Sequence, residues 1–453
     1  MGKKNNEDLS HILMRFSQHI AKKIQEYKRK GGLEHVEFTF TKPVIENLQY
    51  DKGKLSLRTS YVQKTERRSY IKEKASFLGN VINGFSEYAS CAKCIRQNYR
   101  ITEERAEQCL RVFASVTASE FIKSASDEDI LKIIIDFLRH LDNSPINWKV
   151  KVWLIGVWLE NEKYEFDNNI IIRRPTKRDL ATEDEDIFLT SHMEGGYHTN
   201  PDSILEFITS SLGPDKAQRE IQETLETLRL FRLGSVDAIT YFIYSQSVFK
   251  KGGISKTPSN FSAIYKYGLS ASDRDHLNEF VCKIRPLLPA DPALQQEQMP
   301  NLLGIALKRY GDALLAAQSV ESRITSTITS LESLYLKANE RSELSHRLAQ
   351  RIAALLRLSN FTPIEVYKNI REAYEIRSAY IHGSTLEKKK ARHASDLCKT
   401  ILEYSRISLL TFLQVIGEQI EKEQFINKLD NSLLEETAQK KVRELVAKVM
   451  ITK

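Results

Sequence analysis

Apolar residues recur at four-residue spacing near the start of the chain. Ile12, Phe16, Ile20 and Ile24 share one stripe within residues 9–30, and a basic end leads into Gly31-Gly32. That period predicts a helix that stops at the glycines. Residues 35–41, HVEFTFT, alternate instead, and LSLRTSYV alternates again beyond the turn residues Lys52-Gly53-Lys54. A short hairpin is expected there. From about 63 to 140 the pattern reads as helical and closes in DEDILKIIIDFLRHLDN.

The period then changes. WKVKVWLIGVWLENEKYEFDNNIIIRRP alternates and is rich in Trp, Val, Ile, Tyr and Phe, which predicts two or three strands with turns at Glu160–Lys163 and Asp167–Asn169. An acidic loop, EDED at 183–186, follows. A helix at about 215–231, a strand at 235–244, a loop at 250–260, the strand-like SAIYKYGL and a helix at about 271–286 continue the mixed pattern. Pro289, Pro292 and Pro300 within PADPALQQEQMP mark a linker. Beyond Pro300 the chain reads as helices nearly to its end. One helix or two cover 302–337. A stripe of Leu344, Leu348, Ile352 and Leu355 marks the next, a third runs from Pro363 to about His382, a fourth covers about 391–421, and an amphipathic segment fills 433–450. Short connections between such helices predict an antiparallel bundle.

The expected fold is therefore mainly α. A mostly helical N-terminal region with a short hairpin spans 1–145, a mixed α/β domain spans 146–292, and a C-terminal antiparallel helical bundle spans 293–453. Composition agrees with a globular chain: 453 residues, 41% hydrophobic and 28% charged. The net charge of +8 permits a polyanionic partner without requiring one. Five scattered cysteines argue for a reducing, cytoplasmic setting rather than a disulfide framework. No apolar run nears the roughly 18 residues that span a bilayer, and the first residues have no apolar signal core. Gly2 lacks the Ser or Thr that myristoylation wants, since Asn6 stands there. Neither targeting nor a membrane partner is expected.

The stretch YEIRSAYIHGS, 374–384, places Arg377 and His382 five residues apart near a helix end. On a helix of 100° per residue, Ile370, Tyr374, Arg377 and Ile381 fall within about 60° of one another. Arg377 thus lies along an apolar stripe and needs an anion or acceptors there. His382 is roughly 140° away, above Ser378, and Gly383 offers a left-handed cap. A tightened last turn or a second chain is needed to bring the two together. Arg and His suffice to cleave RNA without metal. The 2′-hydroxyl attacks the adjacent phosphate, His moves the proton, and Arg donates to the phosphate oxygens as charge builds. DNA lacks that hydroxyl, so the route is specific to RNA. On spacing alone, a cation and a histidine near a helix C-terminus read as ordinary surface groups.

The same stretch resembles the Apea-like branch of the HEPN family. YEIRSAYIHG lies late in a helical bundle, after TSTITSLESLYL with Glu332 and after LSHRLAQRIAALL, and the resemblance covers roughly 300–420. WLIGVWLENEKYEFDNNIIIRRPTKRDL is similar to material that precedes the module in such proteins. The resemblance implies a bundle that pairs into a homodimer, so that two R-x4–6-H motifs share a composite site. It implies a metal-independent ribonuclease of the toxin or anti-phage kind, with Arg377 and His382 as catalytic residues. Ser378 and Glu332 would support them. The family's residue after the motif Arg is typically Asn, Asp or His; here Ser378 can hydrogen-bond but carries no charge. Some HEPN bundles are silent scaffolds or nucleotide- and partner-binding modules, which is the alternative. No cofactor is expected. A trigger ligand or regulatory partner is expected at the N-terminal domains.

Lys388, Lys389, Lys390 and Arg392 follow the motif and suit an RNA backbone, or simply a solvated loop. Cys91, Cys94 and Cys109 offer three zinc ligands where structural zinc wants four, so no metal is assigned. His192 and His198 in SHMEGGYH fit no helical metal pair. Arg173, Arg174, Lys177 and Arg178 form a basic strand end that suits either RNA or a plain surface turn.

Overall fold

Residues 146–155 alternate between core and surface because Ile146, Trp148, Val150 and Val152 share one side of an extended chain; they form the middle of the main sheet. A computed structural model describes residues 4–29, 34–51, 56–72, 86–122, 126–167, 169–180, 201–250, 252–256, 264–289, 302–315, 319–383 and 388–447. The chain opens with α1 (Lys4–Arg29) and an antiparallel hairpin of β1 (Glu34–Asp51) and β2 (Ser56–Lys72). Helices α2 (Ser86–Tyr99), α3 (Glu103–Ile122) and α4 (Asp127–Leu141) follow. The mixed region contains β3 (Ile146–Ile155), β4 (Val157–Leu159), β5 (Lys163–Phe166), β6 (Ile170–Arg173), α5 (Lys177–Leu180) and β7 (Ser203–Ser211). It continues with α6 (Asp215–Phe231), β8 (Asp237–Ser245), β9 (Gly253–Lys256), β10 (Tyr267–Leu269) and α7 (Asp273–Ile284). The remainder is helical: α8 (Leu302–Leu315), α9 (Val320–Tyr335), α10 (Leu344–Leu356), α11 (Pro363–Ile381), α12 (Lys388–Gly417), α13 (Lys422–Asn431) and α14 (Glu436–Val446).

The protein is mainly helical with a small antiparallel sheet in the order β5-β6-β7-β3-β8-β9. β4 and β10 make a separate parallel pair. Gly156, at φ +89°, turns the chain between β3 and β4; a Cβ there would meet the Ser235 carbonyl oxygen at 2.3 Å, so only glycine fits. Two apolar cores form. One is built by α1–α4 around Phe16, Phe113 and Phe137. The other runs without a break from the sheet through α6 and α7 into the C-terminal helices. Phe249, just past β8, packs against the first of these cores. Its ring lies 5.3 Å from Phe137 and 6.4 Å from Phe113, centre to centre. Beside it, Asp136 of α4 accepts hydrogen bonds from Ser247 Oγ and the Val248 N–H, both at 2.9 Å.

Several boundaries differ from the sequence reading. The hairpin is long: β2 continues to Lys72, through residues 63–72 that read as helical. Tyr61, Val62 and Tyr70 suit a strand, and pairing along all of β1 outweighs a weak helical period. The stretch 302–337 is two helices, the second capped by Ser319, whose Oγ accepts from the Ser322 N–H. The helix expected at 391–421 runs from Lys388 to Gly417, the closing segment expected at 433–450 holds α14, and α13 before it is a helix the sequence reading did not have. The 183–186 loop, the SHMEGGYH histidines and residues 290–301 lie outside the described residues. No helix among the described residues is long and apolar enough to cross a membrane.

The sheet is tied to the C-terminal helices at the end of α6. A helix leaves its last carbonyls without intrahelical donors. Here Tyr267 Oη donates to the Leu228 oxygen at 2.9 Å and Tyr310 Oη to the Arg229 oxygen at 3.3 Å. Arg406 Nη1 donates to the oxygens of Leu230 at 2.8 Å and Phe231 at 3.0 Å. Arg406 is 1% exposed, and Glu403 neutralises it with contacts of 2.6 and 2.8 Å. A second buried arginine, Arg351, holds the chain's end. It binds Glu340 at 2.7 and 2.8 Å, Asp430 of α13 at 2.7 and 2.9 Å, and the Tyr335 oxygen at 2.8 Å.

Arg406→Leu strips two α6 carbonyls of their donor and strands Glu403; in urea denaturation it lowers stability by about 3–5 kcal/mol, the range for breaking a buried ion pair. Tyr310→Phe in the same assay loses one hydrogen bond and costs about 1 kcal/mol. Hydrogen bonds from Arg351 hold the Glu340 carboxyl down from 4.5 to about 2. A depressed acid stabilises the fold fully above its unfolded value and loses that contribution as pH falls through the folded one. Stability measured from pH 5 downward to about 2 therefore drops, and Glu340→Gln, already weaker at pH 7, shows a shallower drop over that window.

Candidate functional site

α11 starts at Pro363, whose fixed φ suits the first helical turn. It buries Val366, Ile370, Ala373 and Ile376 against the bundle. This stripe leaves Tyr374 and Arg377 at its edge, half-buried. Arg377 Nη2 lies 3.1 Å from Glu332 Oε2 of α9. The Arg377 guanidinium also lies over the Tyr374 ring, 5.2 Å from its centre. Burial pushes the Glu332 carboxyl up, while the Arg377 charge and a hydrogen bond from Tyr374 pull it back. Burial and the Glu332 charge push the Tyr374 hydroxyl up. The Arg377 Nε–H is buried and has no acceptor among the described residues.

His382 sits differently. It caps α11, its N–H donating to the Ser378 oxygen at 3.1 Å, and its side chain is exposed. Gly383 follows in the left-handed region at φ +68° and donates to the Tyr380 oxygen at 3.2 Å. The Ser378–His382 connection thus runs through the backbone. Tyr380 and Ile381, 47% and 54% exposed, flank the histidine. Ile381 was expected on the apolar stripe with Ile370; the helix outlasts the bundle surface, so its last turn is left in solvent. Within one chain the structure brings Arg377, Glu332 and Tyr374 together and leaves His382 apart. Tyr374 was placed on the stripe from sequence but given no role; its position one turn before Arg377 is the signal that pointed to it.

The other candidates separate clearly. Lys388, Lys389, Lys390 and Arg392 belong by backbone to the start of α12, and their side chains lie outside the described residues. Cys91 is fully buried on α2, and burial pushes its thiol up to about 12; burial raises Cys94 and Cys109 too. No group of three metal-binding side chains forms among the described residues. Arg173 is spent inside the fold, on Asp179 at 2.6 and 2.7 Å and on Glu206 at 2.8 and 3.0 Å. Arg174 donates to the Leu159 oxygen at 3.2 Å and Lys177 to the Glu46 oxygen of β1 at 2.7 Å. The Arg178 side chain lies outside the described residues.

No protein-family model, curated protein or solved structure matches this chain. The chemistry must therefore be argued from the residues. A guanidinium with an unused donor can bind phosphate or carboxylate oxygens, and an exposed imidazole is a group that can take or give a proton.

If Glu332, Arg377 and Tyr374 act as one unit, removing one member strands another. Glu332→Leu alone costs about 2 kcal/mol in urea denaturation, because it leaves a half-buried cation unpaired. Glu332→Leu with Arg377→Leu costs less than the sum of the two single changes. Additive single effects would show that the ion pair is idle.

Proposed function

We propose that the protein is a metal-independent endoribonuclease of the HEPN type, acting as a toxin or anti-phage effector in which two chains complete each site. The observation that carries the reading is the divided placement of the motif. Arg377 is braced by Glu332 and Tyr374 with one donor unused, and His382 is exposed at the tip of the same helix. One chain alone does not pair them, so a homodimer through the C-terminal helices supplies the second half. The exposed Tyr380 and Ile381 beside His382 give such a pairing apolar surface.

In this mechanism the substrate's 2′-oxygen forms a bond to phosphorus and loses its proton to His382. The bond from phosphorus to the 5′-oxygen breaks, and that oxygen takes up a proton. Arg377 donates to the non-bridging oxygens as charge builds on them. Glu332 and Tyr374 position the guanidinium. The lysine-rich start of α12, six residues past His382, lies in sequence where an RNA backbone would leave the site. The regions ahead of the bundle would hold the activity at a low basal level until a trigger ligand or partner binds.

The alternative is a silent HEPN bundle that scaffolds a partner or binds a nucleotide. The ion pair that occupies Arg377 and the separation of His382 favour it over a site competent in one chain.

Purified protein is expected to cut single-stranded RNA, leaving a cyclic phosphate, and to spare DNA of the same sequence. His382→Ala should slow cutting by about 10²–10⁴-fold, the usual worth of a positioned acid–base group. EDTA should leave the rate unchanged. Cutting by His382→Ala at the parent rate, or loss of cutting in EDTA, would overturn the proposal.

A further inference from the structure

A cavity of about 470 Å³ opens at the seam between sheet and bundle, where the residues after α6 meet α12 and the turn before α11. That volume is in the range of small-molecule sites. Its walls are mostly apolar. Leu233 and Tyr267 come from the sheet side, Phe361 and Tyr404 from the bundle side. Phe361 and Tyr404 meet edge to face with ring centres 5.4 Å apart. Flat rings stack well on such surfaces.

The charges around the cavity are unequal. Arg406 is committed to Glu403 and to the carbonyls of α6. Arg232 is committed to Asp273 at 2.6 and 2.8 Å and to the Gly268 oxygen at 3.1 Å. Lys399 lies on the wall of the same cavity, is exposed, and makes no ion pair or hydrogen bond among the described residues. Glu403, one turn along α12 and the carboxylate on this wall, is already held by Arg406. One uncompensated positive charge therefore remains at the opening. Tyr404 Oη accepts from Asn369 Nδ2 at 3.1 Å and finds no acceptor for its own proton among the described residues.

We propose that this cavity binds a small ligand with a flat aromatic body and a single anionic group, a carboxylate or a phosphate. The rings of Tyr267, Phe361 and Tyr404 hold the body, and Lys399 pairs with the charge. The site does not depend on the ribonuclease reading. Because its walls belong to both the sheet and the bundle, a bound ligand resists their separation and raises the temperature at which the protein melts.

The test uses the full chain and matched probes. Indole-3-acetate is expected to bind saturably, one per chain, in titration calorimetry and to raise the melting temperature. Indole-3-acetamide, the same body without the charge, should bind at least tenfold more weakly. Phenylacetate against phenyl phosphate tells which anion is preferred. Lys399→Ala should weaken indole-3-acetate at least tenfold while leaving the ligand-free melting temperature unchanged. Thr400→Trp, which fills the cavity, should abolish binding with the protein still folded. No saturable binding up to millimolar probe, equal binding of acid and amide, or unchanged binding by Lys399→Ala would each overturn the proposal.

Discussion

The last carbonyls of α6 are the constraint on which the larger half of the molecule depends. Four consecutive residues, Leu228 to Phe231, give their oxygens to Tyr267, Tyr310 and Arg406. These donors come from three elements far apart in the chain. A helix end inside a protein must find donors or forfeit the desolvation of its carbonyls. Meeting that need with side chains from β10, α8 and α12 fixes the sheet against the bundle inside the one core they share. Arg406 suits the place twice over, because its charge faces the negative end of the helix dipole and its fork reaches two oxygens at once. Glu403 then balances the buried charge.

This seam was not legible in the sequence, and the reason is physical. Arg406 appears in YSRISLLTF as a lone cation in an apolar run, which says that it must be paired but not with what. Its acceptors lie about 175 residues earlier. Local signals fared better. Ser126 and Asp129 form a reciprocal capping box at the head of DEDILKIIIDFLRHL, and the buried stripe of Ile130, Ile133, Ile134 and Phe137 follows from its period. The alternation of β3 was equally plain. The length of β2 was not, because its fit depends on a partner strand rather than on its own period.

The site was legible in part. Arg377, Glu332 and Tyr374 were all visible as residues on neighbouring helices, and the helical wheel put Arg377 where an anion was needed. Which anion, and the stacking on Tyr374, required the packing of α9 against α11. The wheel also kept His382 away from Arg377, and the groups recorded around Arg377 are Glu332 and Tyr374. Where the wheel erred was the last turn, for it assumed that bundle contacts continue to Ile381. The cavity beside Lys399 left no trace in the sequence, since its walls converge from four separate segments.

Gly383 ends α11 one residue after His382, and that stop has a cost attached. Arg377 is already held by Glu332 and Tyr374, so in the proposed site it would surrender little freedom to a ligand. The imidazole stands exposed at the helix end, with no side-chain hydrogen bond or ion pair among the described residues. Fixing it in one orientation carries an entropic charge of about 1 kcal/mol or more, drawn from whatever binds. In the proposed site such a pair would be half preorganised: it would discriminate against any ligand too weakly held to order the helix tip.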